Sequence, residues 1–113
     1  MSEVKVFTDE QEVQYATGKS AYLEGERLKP GQVVKLTHLS AKFQNIATTE
    51  YVEVGYWNGH SYVELKKAAP AVIGYFVHWD GEIYLREEQY IYAYLADVAD
   101  GEKMTLKGLG VWV

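Results

Sequence analysis

Four groups of residues in this chain have the types that chemistry uses. Gly18-Lys19-Ser20 has the ending of a phosphate-binding loop. Such a loop needs another glycine five residues before Gly18, so that backbone amides can wrap a phosphate. Val13 stands there, and no apolar strand leads into it, so the tripeptide reads as chance. The three histidines, His38, His60 and His78, are far apart in sequence. Zinc sites usually show a close ligand pair such as His-x3-His, so no metal site is expected. Glu53 and Glu64 fall opposite each other in a predicted hairpin and in principle share a proton. General acid–base work also needs a pocket and a perturbed pKa. Opposed acids on an open sheet face are more often solvated or met by a partner's base.

The fourth group is the aromatics: ten Tyr, three Trp and three Phe among 113 residues. That exceeds what a core of this size fully buries. Tyr and Trp combine an apolar body with a polar tip and are favoured at contact surfaces. The plain alternative is a β core rimmed by amphipathic rings, which accounts for about half of them. The others point to a surface for protein subunits or sugar rings. No Ser or Thr sits in a nucleophile-elbow context, Cys is absent, and no glycine-rich dinucleotide fingerprint occurs. No catalytic residue and no cofactor are therefore expected, and the chain reads as a binding or assembly protein, not an enzyme.

The elements that carry these groups are strands. Asn58-Gly59, Asp80-Gly81 and Asp100-Gly101 each suit a two-residue type I′ hairpin turn. The first predicts a hairpin of 51–57 with 60–66, pairing Val54 with Val63, Gly55 with Tyr62 and Glu53 with Glu64. Its core face would hold Val52, Val54, Tyr56, Val63 and Leu65. The second predicts a hairpin of 72–79 with 82–86. Phe76, Ile83 and Leu85 fall on one face and Val77, Trp79 and Tyr84 on the other, as in a central or interface-forming strand pair. Tyr90, Tyr92 and Tyr94 alternate with Ile91, Ala93 and Leu95, which favours a strand over a short helix. Lys29-Pro30-Gly31-Gln32 is a turn signal feeding a strand at 33–37, and 41–48 suits another. A last strand spans 103–113, bent near Gly108 and Gly110. Residues 1–18 are the least periodic and read as an extended arm, with one short strand at 4–7. The expected architecture is mostly β, a small antiparallel sandwich or barrel-like domain at 19–113 behind that arm.

Length and charge narrow the function. One domain of this size buries roughly 60–68% of its unfolded surface, enough for one modest core. No apolar run reaches the roughly 18–20 residues of a membrane span, so no membrane partner is expected. The first residues lack a basic stretch followed by an apolar one, so export by the usual route is not expected. The net charge is −5. Between Asp80 and Glu102 there are seven acids against Arg86, a net of −6, which leaves +1 elsewhere. Nucleic acid binding draws on clustered Lys and Arg, and Lys66-Lys67 is the best basic pair. Nucleic acid is not an expected partner.

Two stretches carry a family resemblance. Tyr22-Leu23-Glu24 through Leu28-Lys29-Pro30-Gly31-Gln32-Val33-Val34-Lys35-Leu36 resembles the opening of small tailed-phage capsid decoration (cement) proteins. The segment from Ala93 to Gly108 looks like their closing strand, acidic Gly-Glu turn and last Gly-containing strand. The resemblance covers about a third of the chain and extends to the capsid-attached base of phage head fibres. The aromatic middle, 51–94, has no counterpart in it. It implies a homotrimer on the capsid exterior of a bacteriophage virion, made in the host cytoplasm. Its N-terminal arm, here Val4, Val6 and Phe7, would pair with the major capsid protein by β-augmentation.

The expected function is therefore that of a structural capsid-stabilising protein. Its partner-binding residues would be Val4, Val6, Phe7, Trp57, Tyr62, Val77, Trp79 and Tyr84. The alternative is a carbohydrate-binding β module using exposed rings such as Trp57, Tyr62 and Trp79. A third reading is a tail or adaptor protein of the same virion.

Overall fold

The computed structural model describes residues 5–15, 19–43, 52–68, 76–98 and 102–113. The described elements are eight strands: β1 (Val6–Tyr15), β2 (Lys19–Glu24), β3 (Val34–Phe43), β4 (Val52–Trp57), β5 (Tyr62–Ala68), β6 (Phe76–Leu85), β7 (Tyr90–Val98) and β8 (Glu102–Trp112). They form two four-stranded antiparallel sheets, in the orders β1-β8-β3-β6 and β2-β7-β4-β5. Successive strands thus change sheets repeatedly, which is the double Greek-key order of a jelly-roll sandwich.

Period-two alternation explains the core. Val34, Leu36, Leu39 and Ala41 of β3, with Val77, Leu85, Met104 and Leu106, line the first sheet's inner face. Leu23, Val52, Val54, Ile91, Ala93 and Leu95 line the second sheet's inner face. Each such Val, Leu or Ile, fully buried, contributes about 1.5–3 kcal/mol. Asp9 is the one buried charged group among the described residues. Its Oδ2 accepts a hydrogen bond from the Glu26 amide (2.9 Å), and its Oδ1 accepts one from Gln11 Nε2 (2.8 Å). This ties β1 of one sheet to the segment leaving β2 of the other. Gly25 is bare there because a Cβ would lie 2.3 Å from Asp9 Oδ2.

Residues 6–15 are not a free arm. They are the edge strand β1, in register with β8 from Val6↔Val111 to Tyr15↔Glu102. Val4 lies outside the described residues, as does the Asp100-Gly101 turn. The Lys29–Gln32 turn forms as expected, with the Gln32 amide donating to Lys29 O (3.0 Å) and Gly31 at φ 83°. The expected strand at 33–37 and the start of that at 41–48 are one strand, β3, with 44–48 outside the described residues.

Both sequence-predicted hairpins are corrected. Trp57 pairs with Tyr62, not His60, and Gly55 pairs with Glu64. The loop is four residues long: Asn58 Oδ1 accepts from both the His60 and Ser61 amides (2.8 and 2.9 Å), and the Asn58 amide donates to Ser61 O (3.1 Å). A bulge at Leu65 then sets Val54 opposite Lys66 and Glu53 opposite Lys67. The two-residue register would have opposed Glu53 to Glu64. The observed one exchanges that like-charge pair for an opposite-charge pair. The faces survive the shift, with Val52 and Val54 buried and Tyr56 and Leu65 packed on the core.

Asp80-Gly81 does not turn at all. β6 runs straight through it, paired with β3 on both sides of a register shift at Leu36/His38. In a hairpin the two arms would have mixed odd and even positions on each face. In one continuous strand Val77, Trp79, Ile83 and Leu85 all meet the core. The glycine serves Trp79, whose ring lies where a Gly81 Cβ would stand (2.5 Å from Cζ2).

Candidate functional site: the outer face of the second sheet

Strand β7 buries both of its sides. Ile91, Ala93 and Leu95 face the core, so Tyr90, Tyr92 and Tyr94 must project outward. Yet Tyr92 is 0% exposed and Tyr90 only 4%. Their cover comes from flanking strands. Register places Tyr22 beside Tyr94 and Glu24 beside Tyr92 on β2, and Gly55 and Trp57 beside Tyr92 and Tyr90 on β4. Gly55 lets the Tyr92 ring lie close to the sheet, since a Cβ there would be 2.9 Å from Tyr92 Cε1 and 2.0 Å from Val63 O.

Tyr22 and Tyr62 close the layer. They sit on the two edge strands, three strand spacings or roughly 14 Å apart in a flat sheet. Their rings nevertheless stack at 4.5 Å and 19°, so both side chains lean inward over the central strands. The stack contacts Tyr92 (5.8 and 4.8 Å), Tyr94 (4.7 Å from Tyr22) and Trp57 (4.9 Å from Tyr62). Trp57 lies near-parallel to Tyr90 at 6.3 Å, and the Arg27 guanidinium sits 4.9 Å over that tyrosine.

Two carboxylates anchor the hydroxyls. Glu24 Oε2 accepts from Tyr62 (2.8 Å) and Tyr90 (2.5 Å), and Glu53 Oε2 accepts from Tyr92. Burial, then the bonds to Glu24 and Tyr62, holds the Tyr90 hydroxyl well above the ordinary tyrosine range. Burial and the bond to Glu53 do the same at Tyr92. At Tyr62 the Tyr90 hydroxyl pulls downward, but burial and Glu24 outweigh it and the group is raised. All three hydroxyls therefore stay protonated donors. Both carboxylates accept hydrogen bonds here. The arrangement suits recognition: ring surfaces beside groups that exchange hydrogen bonds with hydroxyls.

The expected partner residues scatter. Trp57 and Tyr62 come together on this face. Val77 is buried core, Trp79 packs against the core, and Phe7 is buried against Trp112 (5.3 Å, edge-on). Val6 and Tyr84 are exposed on the other sheet. Sequence reasoning did not select Tyr22, Glu24, Tyr90, Tyr92 or Arg27. The tyrosines at 90, 92 and 94 were visible as a period-two run. The strands beside them were not, because β2 and β4 reach β7 only through the sandwich topology.

Two other features lie off this face. His38 and His78, distant in sequence, stack at 6.3 Å on β3 and β6, with Asp80 2.8 Å from His38 Nδ1 and 3.9 Å from His78 Nε2. Among the described residues no group of three or more His, Cys, Asp or Glu is arranged to hold a metal ion. A depression of about 390 Å³ lies between β1 and β8, lined by Glu10, Gln11, Glu12, Thr105, Leu106 and Lys107. It has no aromatic wall, and the aromatic face, although flatter, is the better candidate. No helix among the described residues is long and apolar enough to cross a membrane.

No family model and no curated protein matches this chain. Among solved structures, a family two carbohydrate esterase from Cellvibrio japonicus is similar at 13% identity and a TM-score of 0.30. The match covers 95% of this chain and 36% of that one, so the chain spans about a third of that protein's length. A likeness at that score carries no argument about function.

Proposed function

We propose that this protein is a carbohydrate-binding β module, with the outer face of the β2-β7-β4-β5 sheet as its site. The observation that carries the reading is a layer of six aromatic rings on the solvent side of a sheet. Tyr22 and Tyr62 are 44% and 37% exposed there, beside Glu24, Glu53 and Trp57. Sugars offer C–H faces to rings and hydroxyls to carboxylates, and this surface supplies both. Jelly rolls host lectin and capsid domains alike, so the fold does not choose between them.

The second reading is a capsid-stabilising protein that assembles as a homotrimer on a phage shell. It rests on the resemblance and on Val6 and Tyr84, both exposed on the first sheet. The N-terminal segment bears on it through β1, which pairs with β8 on one side and forms the outer edge of its sheet.

Affinity electrophoresis against a panel of soluble polysaccharides, with the solution mass measured in parallel, separates the two. The carbohydrate reading expects a monomer that at least one polysaccharide retards, with retardation lost in Trp57→Ala. A trimer that no polysaccharide retards would overturn it in favour of the assembly reading.

A further inference from the structure

The geometry of the Tyr22–Tyr62 pair goes beyond sugar binding as such, although it rests on that reading. These rings are pressed face to face. Their remaining sides meet Tyr94 at 42° and Trp57 at 62°. A sugar laid on top of the layer would thus touch mostly ring edges. The faces become available only if the stack parts. Both residues stand on edge strands, which have a neighbour on one side only. Both are also the most exposed rings of the layer. Outward rotation of the two side chains would break the Tyr62–Glu24 hydrogen bond and separate two near-parallel walls, with Tyr92 as the floor and beside it Glu24, still bonded to Tyr90, and Glu53.

We propose that Tyr22 and Tyr62 act as a two-sided clamp that takes one pyranose ring between them. The clamp selects gluco- or xylo-configured rings over rings with an axial hydroxyl on either face, manno-configured on one and allo-configured on the other. A pyranose whose ring hydroxyls are all equatorial presents C–H groups on both faces and hydroxyls around its rim. Such a ring replaces the tyrosine–tyrosine contact with two apolar contacts while its rim reaches the carboxylates. An axial hydroxyl projects from one face and would be pressed against an aromatic wall without a hydrogen-bond partner, which is unfavourable. A one-sided platform would tolerate such a group on its solvent side, so discrimination on both faces distinguishes a clamp from a platform.

The test is calorimetric titration of the unmodified protein with the methyl β-glycosides of glucose, xylose, mannose and allose. The clamp expects the first two to bind about tenfold or more tighter than the last two. Tyr22→Ala and Tyr62→Ala should each weaken binding by about tenfold or more. Equal or tighter binding of the mannoside or the alloside overturns the clamp alone, as do folded alanine variants that bind like the parent. Because the stereochemical series uses the parent protein, a variant that fails to fold does not decide the matter. Failure of all four glycosides while a polysaccharide is still retarded also overturns the clamp alone, and failure of the glycosides and of the whole polysaccharide panel overturns the carbohydrate reading itself.

Discussion

The two sheets of this sandwich obey the same alternation but treat their outer faces differently. On β1-β8-β3-β6 the outward positions hold charged and polar residues: Glu10 with Lys107 (3.3 Å), Lys35 with Glu82 (3.9 Å), and Asp80 between two histidines. These are exposed pairs, worth about 0–1 kcal/mol each. On β2-β7-β4-β5 the outward positions hold a second aromatic layer, with a fully buried tyrosine and two carboxylates bound to tyrosine hydroxyls. One face is solvated; the other has a small core of its own. The difference teaches that facing outward and being exposed are separate properties. Where an outward face is buried by its own rings, the sheet carries a second small core, and it is this layer that the proposed carbohydrate reading takes as its binding surface.

The largest expected effect breaks this comparison outright. Tyr92→Ala should destabilise by about 3–5 kcal/mol, as large-to-small changes at buried aromatics do. Denaturant unfolding measures it, and a loss under about 1 kcal/mol would mean that the aromatic layer is ordinary surface.

Tyr92→Phe keeps the ring and removes only the hydroxyl bonded to Glu53. It should cost about 1.5–3 kcal/mol near neutral pH, the range for a hydrogen bond to a charged group. Its pH dependence follows from linkage. Burial and Glu53 raise the folded-state value above the ordinary tyrosine value of 10.0. The unfolded state therefore ionises first. Stability from this hydroxyl is complete below pH 10 and is lost as pH rises beyond it towards the folded-state value. The gap between parent and variant should narrow above pH 10; a gap that widens there contradicts the assignment.

Much of the fold was legible in the sequence, and the misses have physical causes. The all-β sandwich, the Pro30-Gly31 turn and the strand at 90–98 followed from turn chemistry and period two. The two hairpins failed because Asx-Gly pairs have more than one use. At Asn58 the side chain itself caps a four-residue loop, and at Gly81 the missing side chain makes room for Trp79. The second failure re-sorted Val77 and Trp79 from a supposed interface into the core. The candidate site was half legible. Trp57 and Tyr62 were in view, but Tyr22 and Glu24 join them only because β2 and β5 end as the two edges of one sheet.

Smaller effects belong to the solvated face. Lys107→Ala, which breaks the pair with Glu10, should change stability by no more than about 1 kcal/mol, and high salt should erase the difference. Tyr84→Ala removes a ring that is 48% exposed on that same face. It should stay within about 0.5 kcal/mol of the parent in unfolding and leave glycan affinity unchanged. A clear loss of self-association in this variant would instead locate an assembly surface on the first sheet.

The three tryptophans allow the most direct test of where ligand binds, because each reports on a different place. Trp57 lies in the aromatic layer, Trp79 covers Gly81 beside the core, and Trp112 packs on Phe7. Their indole N–H resonances are to be followed by NMR during titration with the tightest-binding soluble glycan. The account expects the Trp57 signal to shift saturably while those of Trp79 and Trp112 hold still. A Trp57 signal that stays fixed to millimolar glycan, or shifts confined to Trp79 or Trp112, would contradict the assignment of this face as the binding site.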